Sequence, residues 1–245
     1  MKLTSKYICL LFLFSGLLVL AQSVKKTAHQ FPQGDEKNYE KINDSIPHLI
    51  PRKVEGKFGY INQKGDLLIP AVYSNVGFFT EDCTLLNSSD PKVQKFGSAQ
   101  YASVRYMGVD YRIDYKGKRV YRYKDEELGK CPFEYKEQLY HSYVRQGYYG
   151  VIEKKNFFNE LDYRQYLIYP QFQYLHILEG DDLKNPMIVA AHDNRFGVIN
   201  IQGEIVIPFV YADIKRNFSW KLARLFEVSE DGKNYYFIDR YGNRF

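Results

Sequence analysis

The sequence predicts an all-β fold of about five tandem antiparallel β-meander units, on three observations. The chain repeats itself: residues 57–70 read Lys-Phe-Gly-Tyr-Ile-Asn-Gln-Lys-Gly-Asp-Leu-Leu-Ile-Pro, and residues 195–208 read Arg-Phe-Gly-Val-Ile-Asn-Ile-Gln-Gly-Glu-Ile-Val-Ile-Pro. Self-similarity at a fixed period marks a repeat architecture. The composition is rich in residues that suit a half-buried pleated surface, with 23 Tyr and 17 Phe against a single Trp. A turn signal of Asn or Asp, two variable residues and Gly recurs at Gly65, Gly117, Gly203 and Gly242, with Asn156 standing where a fifth Gly would be. The gaps of 52, 39, 47 and 39 fit a basic period near 39 with insertions at 77–100 and 157–165.

The N-terminus reads as a secretory signal over residues 1–21. Lys2 and Lys6 flank an apolar run over 7–20, and Val19-Leu20-Ala21 offers small residues at a peptidase site. The run is shorter than the roughly 20 residues of a membrane span. The alternative is an uncleaved N-terminal anchor. Cys9 lacks the small residues that would precede a lipid-modified cysteine. Cleavage removes two lysines and lowers the formal net charge from +5 to +3. So weak and dispersed a charge does not point to nucleic acid. Residues 22–38 are polar, carry Pro32 and Gly34, and read as a mobile linker before a repeat domain over 39–245.

Within a unit the first strand covers 49–54 or 187–191, followed by a short polar turn. The second strand carries an aromatic-Gly pair: Phe58-Gly59, Tyr149-Gly150 and Phe196-Gly197. In the next turn the Asx side chain bonds its own backbone and the Gly takes the left-handed conformation. Asn156 is expected to take that conformation too, since Asn tolerates positive φ. The third strand, 67–69 or 205–207, is apolar on both faces and is expected to end at a proline, with successive sheets packing on it. A fourth element follows the proline: Tyr73-x-x-Val76, Tyr174-x-x-Ile177 and Tyr211-x-x-Ile214. Tyr39-x-x-Ile42 has the same spacing, and is expected to complete the last unit or cap the first. Whether the array closes into a propeller-like ring or stays an open curved stack is left open by the sequence.

This unit resembles the bacterial WG-repeat family over nearly all of 39–245. The family's Trp is missing from every copy, and Tyr111 and Tyr236 replace the Gly in two. The resemblance implies an all-β tandem-repeat architecture and a binding or scaffolding role, with no shared catalytic residues. The recurring Gly is read as a packing device in which an aromatic ring lies over a strand glycine.

Candidate chemistry is sparse. The five histidines (His29, His48, His141, His176, His192) show no metal-ligand spacing. The acidic clusters at 125–127, 179–182 and 230–232 lack the alternating oxygens of a calcium loop. There is no nucleophile elbow, phosphate loop or dinucleotide fingerprint. No cofactor and no catalytic residue is expected. Tyr121, Tyr123, Tyr140, Tyr143 and Tyr148 crowd the centre of the chain with Arg119, Arg122 and Arg145. They read either as a ligand groove or as aromatic ladders on a sheet. Cys83 and Cys131, at similar phases of adjacent units, are candidates for a disulfide; the alternative is two separate thiols.

These features point first to an exported, non-enzymatic repeat protein that meets a protein partner in the cell envelope, through its two insertion loops. A glycan or peptidoglycan binder using Tyr and Arg is the second reading. A glycan hydrolase with paired carboxylates is the third.

Overall fold

In the computed structural model the described residues are 45–133, 137–159 and 165–245. All of the described residues belong to one compact unit. The signal, the linker and the Tyr39-x-x-Ile42 element fall outside the described residues. The rest is nearly all β, in five antiparallel sheets of three or four strands. Sheet A is β1 (Ile50–Val54), β2 (Lys57–Ile61) and β3 (Leu67–Tyr73). Sheet B is β4 (Asn75–Phe79), β5 (Ala102–Tyr106), β6 (Val109–Ile113) and β7 (Arg119–Arg122). Sheet C is β8 (Tyr140–Arg145), β9 (Tyr148–Glu153) and β10 (Tyr166–Phe172). Sheet D is β11 (Tyr174–Ile177), β12 (Ile188–His192), β13 (Arg195–Ile199) and β14 (Ile205–Tyr211). Sheet E is β15 (Asp213–Ile214), β16 (Phe226–Ser229) and β17 (Tyr236–Ile238).

Two turns build each unit. In sheets A to D the first hairpin closes on two residues, both at positive φ: Glu55-Gly56, Met107-Gly108, Gln146-Gly147 and Asp193-Asn194. That is the requirement of a type I′ turn, whose twist matches the flanking strands. The second turn is the Asx loop. Asn62 Oδ1 accepts the N–H of Lys64 and of Asp66, both at 2.9 Å, while Gly65 N–H returns to the Asn62 carbonyl. Asp114, Asn200 and Asp239 make the same pair of side-chain bonds. The copy around Asn156 departs from expectation. Its residues form a 3-10 helix over Lys154–Asn159, and Asn156 is not among the residues at positive φ.

The proline does not end the third strand. β3, β10 and β14 run through Pro70, Pro170 and Pro208 to Tyr73, Phe172 and Tyr211, with a register shift. Tyr60 faces Ile69 but Phe58 faces Tyr73, so the strand bulges around Pro70. Proline, lacking an N–H, is tolerated where the ladder is interrupted. The bulge folds onto the second-strand glycine. A Cβ on Gly59 would fall 2.3 Å from the Ile69 carbonyl oxygen, and one on Gly150 2.4 Å from that of Ile168. The recurrent glycine is therefore reserved for partner backbone rather than for an aromatic ring. At Gly197 both are close, Ile207 O at 2.7 Å and the Phe209 ring at 2.9 Å. Nor is the third strand buried on both faces. Ile69 and Ile207 are buried, but Leu67 and Ile205 are 49% and 63% exposed.

The fourth element leaves its unit and becomes the outer strand of the next sheet, as β4, β11 and β15. It docks through one recurring bond. Ser74 N–H donates to Arg105 O, Gln173 N–H to Ala191 O and Ala212 N–H to Ser229 O.

Burial of aliphatic faces between sheets drives the stacking. Core clusters join A to B around Tyr73 and Ile113, C to D around Ile168 and Ile199, and D to E around Ile207 and Phe226. A fourth cluster joins the first sheet to the last: Ile50 and Ile61 meet Ala223, Leu225 and the partly buried Phe237 and Phe245. Ile50 pairs with Ile61 as Ile188 pairs with Ile199, and both pairs face a neighbouring sheet. The spatial order is C, D, E, A, B. Among the described residues no core cluster joins B to C, so the sheets form an open stack. At this end of the stack β7 (Arg-Val-Tyr-Arg) holds no buried residue.

The insertion between β4 and β5 carries α1 (Cys83–Leu86) and α2 (Pro91–Gln94), each capped by an aspartate, Asp82 or Asp90. It is fastened at two points. Cys83 is joined to Cys131 by a disulfide, Cα to Cα 5.3 Å. Arg112, 1% exposed, donates to the carbonyls of Thr80, Phe96 and Ser98 and to Ser103 Oγ at 2.8–3.0 Å.

Candidate binding cleft

The seam between the first and last sheets opens to solvent as a cleft of about 850 Å³. One wall is the outer edge of β1, Pro51 to Lys53, continuing into the Glu55-Gly56 turn and the start of β4. The opposite wall is α3 (Ser219–Ala223) with its approach at Asn217 and Phe218, and the turn entering β17. The core of the A–E junction lies beneath it. Phe78 meets Phe237 edge to face at 5.4 Å, and Arg52 Nη1 donates to the Phe245 carbonyl at 2.9 Å.

Four cations line the cleft (Arg52, Lys53, Lys233, Arg244) against two carboxylates, Glu55 and Glu227. Phe218 and Leu222 are large apolar groups left 55% and 47% exposed on one wall. Several of the rings have cations against them: Arg244 lies 3.6 Å from the Tyr236 centroid, Lys53 5.7 Å from Phe58 and Lys221 5.9 Å from Phe218. Such contacts hold a cation against the electron-rich ring face.

Glu227 is half buried on β16. Burial pushes its carboxyl up from the ordinary value; Asn217 Nδ2, at 2.6 Å, and Lys215 offset part of that, and Asp213 adds to it. Asp213 stands diagonally across β15, where it pairs with Ser229. Burial alone would raise Asp213 too. Bonds from Tyr235 Oη at 2.7 Å and Arg216 Nη1 at 2.6 Å outweigh it and hold Asp213 low.

The aromatic crowd at the centre of the chain does not converge on one groove. Tyr121 lies on β7 of sheet B and Tyr123 just past its end, where they bond Glu127 at 2.8 Å and Asp82. Arg119 of the same sheet lies over Tyr106 and Tyr111. Tyr140 and Tyr143 belong to sheet C, where Tyr140 Oη donates to Lys184 O and Tyr143 packs on Phe157 and Tyr166. Of the two insertions, the first gives the cleft only Phe78, and the second includes residues outside the described set. Among the described residues no group of three or more His, Cys, Asp or Glu could hold a metal ion, and no helix is long and apolar enough to cross a membrane.

Sequence reasoning did not find this cleft, because its walls are distant in sequence, residues 51–78 on one side and 217–244 on the other. Arg112 left a signal. It occupies the position of Tyr60 and Val198, so a cation stands where other copies place a core residue.

Two stretches, residues 58–85 and 196–224, match the WG containing repeat. Each begins at the aromatic of an aromatic-Gly pair and runs through the Asx turn and the proline bulge. No curated protein and no solved structure gives a significant match to the chain.

Proposed function

We propose that the chain is an exported repeat protein of the cell envelope that works by binding a protein partner, without catalytic turnover. The cleft between the first and last sheets carries this reading. The recurrent Gly, Asx, Pro and aliphatic residues are engaged in turns, bulges and core, whereas the cleft gathers non-recurrent cations beside the exposed Phe218 and Leu222. Aromatic and cationic side chains around an exposed apolar patch suit protein recognition. Export is supported by the apolar run over 7–20 with its peptidase site at Ala21, and by the Cys83–Cys131 bridge, a bond suited to an oxidising compartment.

A glycan binder needs open ring faces for stacking. The cations over Phe58, Phe218 and Tyr236 compete for those faces. A hydrolase finds one favourable observation: neighbouring carboxyls pushed in opposite directions, Glu227 up and Asp213 down, as an acid and its partner would be. Both Asp213 oxygens, however, are held by Tyr235 and Arg216.

The test is affinity capture from envelope extract with the exported chain as bait, together with fractionation of the producing cells. A saturable protein partner and an envelope or secreted location are expected. Hydrolysis of a glycan or peptide by the purified chain, lost in Glu227→Gln, would overturn the reading.

A further inference from the structure

We propose that a basic, extended segment of a partner protein adds to sheet C as a fourth strand along the outer edge of β8. This rests on the reading that the chain works by binding a protein, and it places a docking surface apart from the cleft.

The first argument is the repeat's own geometry. In sheets B, D and E the fourth element of another unit pairs antiparallel with the first strand. Sheet C has no such strand, and the residues that would supply it are described and lie elsewhere. Tyr123 stands where Tyr73 stands in the first unit: its N–H donates to Asp110 O at 3.1 Å, as Tyr73 faces Phe58. The residues that follow, Asp125–Glu127, wind into a 3-10 helix where the first unit sends out β4. Beyond it the chain is tied to the insertion of sheet B. Gly129 N–H donates to Thr84 O at 2.8 Å, and Cys131 is bridged to Cys83. The link from sheet B to sheet C is thus fastened to sheet B and does not run along β8.

The second argument is the edge itself. The two-residue turn Gln146-Gly147 makes Arg145–Tyr148, Tyr143–Gly150 and His141–Ile152 the pairs that exchange bonds. The N–H and C=O of Tyr140, Ser142 and Val144 therefore point away from β9, and among the described residues no strand pairs with them. None of the three is proline or charged, so the edge lacks the usual guards against an added strand. Val144, 47% exposed, holds the position of Arg105, Ala191 and Ser229, the carbonyls on which the fourth element docks in sheets B, D and E.

The third argument is charge. The start of β8 borders a cavity of about 270 Å³ shared with the 178–186 loop of sheet D. Its lining carries three carboxylates, Glu137, Glu179 and Asp182, and no Lys or Arg; Lys221 stands 3.6 Å from Glu179. Leu139 and Leu183 add apolar contact. A strand antiparallel to β8 begins beside Arg145 and ends at this cavity, so its cations belong near its C-terminal end. Strand addition commonly divides the work this way, backbone bonds giving affinity and side-chain pockets specificity.

The experiment uses the full chain and a fluorescein-labelled peptide, Thr-Val-Thr-Val-Lys-Val-Lys. Controls are the same peptide in reverse order and one with Glu in place of Lys. Binding that weakens with salt is expected, weaker for the reversed peptide and absent for the Glu peptide. Val144→Pro should weaken binding about tenfold, the worth of one or two net hydrogen bonds, by removing an outward N–H. That N–H is not shared with β9, so the hairpin keeps its own bonds. Glu137→Lys, at an exposed position, should weaken binding about threefold or more by reversing a charge at the contact. Unchanged thermal melts show that the variants fold, and should Val144→Pro lower the melt, Glu137→Lys alone decides. Hydrogen exchange at the Ser142 and Val144 amides should slow when the peptide binds. Equal binding of the Glu peptide, or full binding by Glu137→Lys, overturns the proposal. So do Ser142 and Val144 amides already protected in the chain alone, which would mean that the chain itself or a second copy covers the edge. If an envelope partner is captured equally by wild type and both variants, the β8 assignment fails and the binding reading stands. If none captures a partner, the binding reading fails and the proposal with it.

Discussion

Gly59 and the backbone of Ile69 approach each other across sheet A so closely that a Cβ on the glycine would fall 2.3 Å from the isoleucine's carbonyl oxygen. The contact exists because Pro70 lets β3 leave the ladder and fold its backbone over β2. Glycine and proline, eleven positions apart in sequence, thus serve one bulge. Sheet B loses both together. Tyr111 stands at the glycine position, Arg122 at the proline position, and the two pair directly without the bulge.

Gly59→Ala should therefore destabilise sheet A by about 3 kcal/mol, the upper part of the range for overpacking against backbone that cannot move aside. Gly150→Ala should cost a similar amount, since its Cβ would meet Ile168 O at 2.4 Å. Gly56→Ala meets no atom within 4 Å and suffers only its positive φ, so about 1 kcal/mol is expected. Urea denaturation of the three variants checks the order.

Arg112→Met should cost about 3 kcal/mol, because it strips the donors from buried carbonyls that cannot then reach water. The loss should be local. Hydrogen exchange should accelerate over residues 80–101, whose Thr80, Phe96 and Ser98 carbonyls the guanidinium holds, and stay unchanged in sheet D. Arg112→Lys should not rescue it, since one ammonium cannot reproduce the planar fork.

Cys83 and Cys131 should both resist alkylation until a reductant is added, as read by mass spectrometry. Replacing both with Ser should cost about 3 kcal/mol by freeing the closed loop in the unfolded chain. The Arg112 contacts should survive, because the bridge and the guanidinium fasten different parts of the insertion.

What the sequence disclosed followed from how local each signal was. The Asx turns are legible because Asn62, Asp114, Asn200 and Asp239 bond backbone only two and four residues on. The proline was read as a strand end, because proline usually breaks a ladder and a bulge looks the same in sequence. Asn156 departs for a related reason: tolerance of positive φ does not compel it, and the Lys154–Asn159 stretch tightens into a 3-10 helix. The cleft was illegible because Arg52 and Phe245 are separated by 193 positions, and no periodicity reports that the first sheet packs on the last.

The two carboxyls of sheet E should shift stability with pH in opposite directions. Burial raises Glu227 above its unfolded value, so ionising it costs more in the folded chain than in the unfolded one. Its contribution is most favourable in acid and declines as pH rises through the ordinary carboxylate range to the raised value. Glu227→Gln should then be more stable than wild type at neutral pH, with the difference disappearing in acid. Asp213 is held below its unfolded value by Tyr235 and Arg216, despite burial acting the other way. Its ionised form stabilises the fold above the ordinary carboxylate range, and that stability is lost as pH falls through the depressed value. Asp213→Asn should be less stable at neutral pH and approach wild type in acid. Urea midpoints across the acid-to-neutral range decide both, and a Glu227→Gln variant weaker than wild type at neutral pH would mean that the bond from Asn217, not burial, governs this carboxyl.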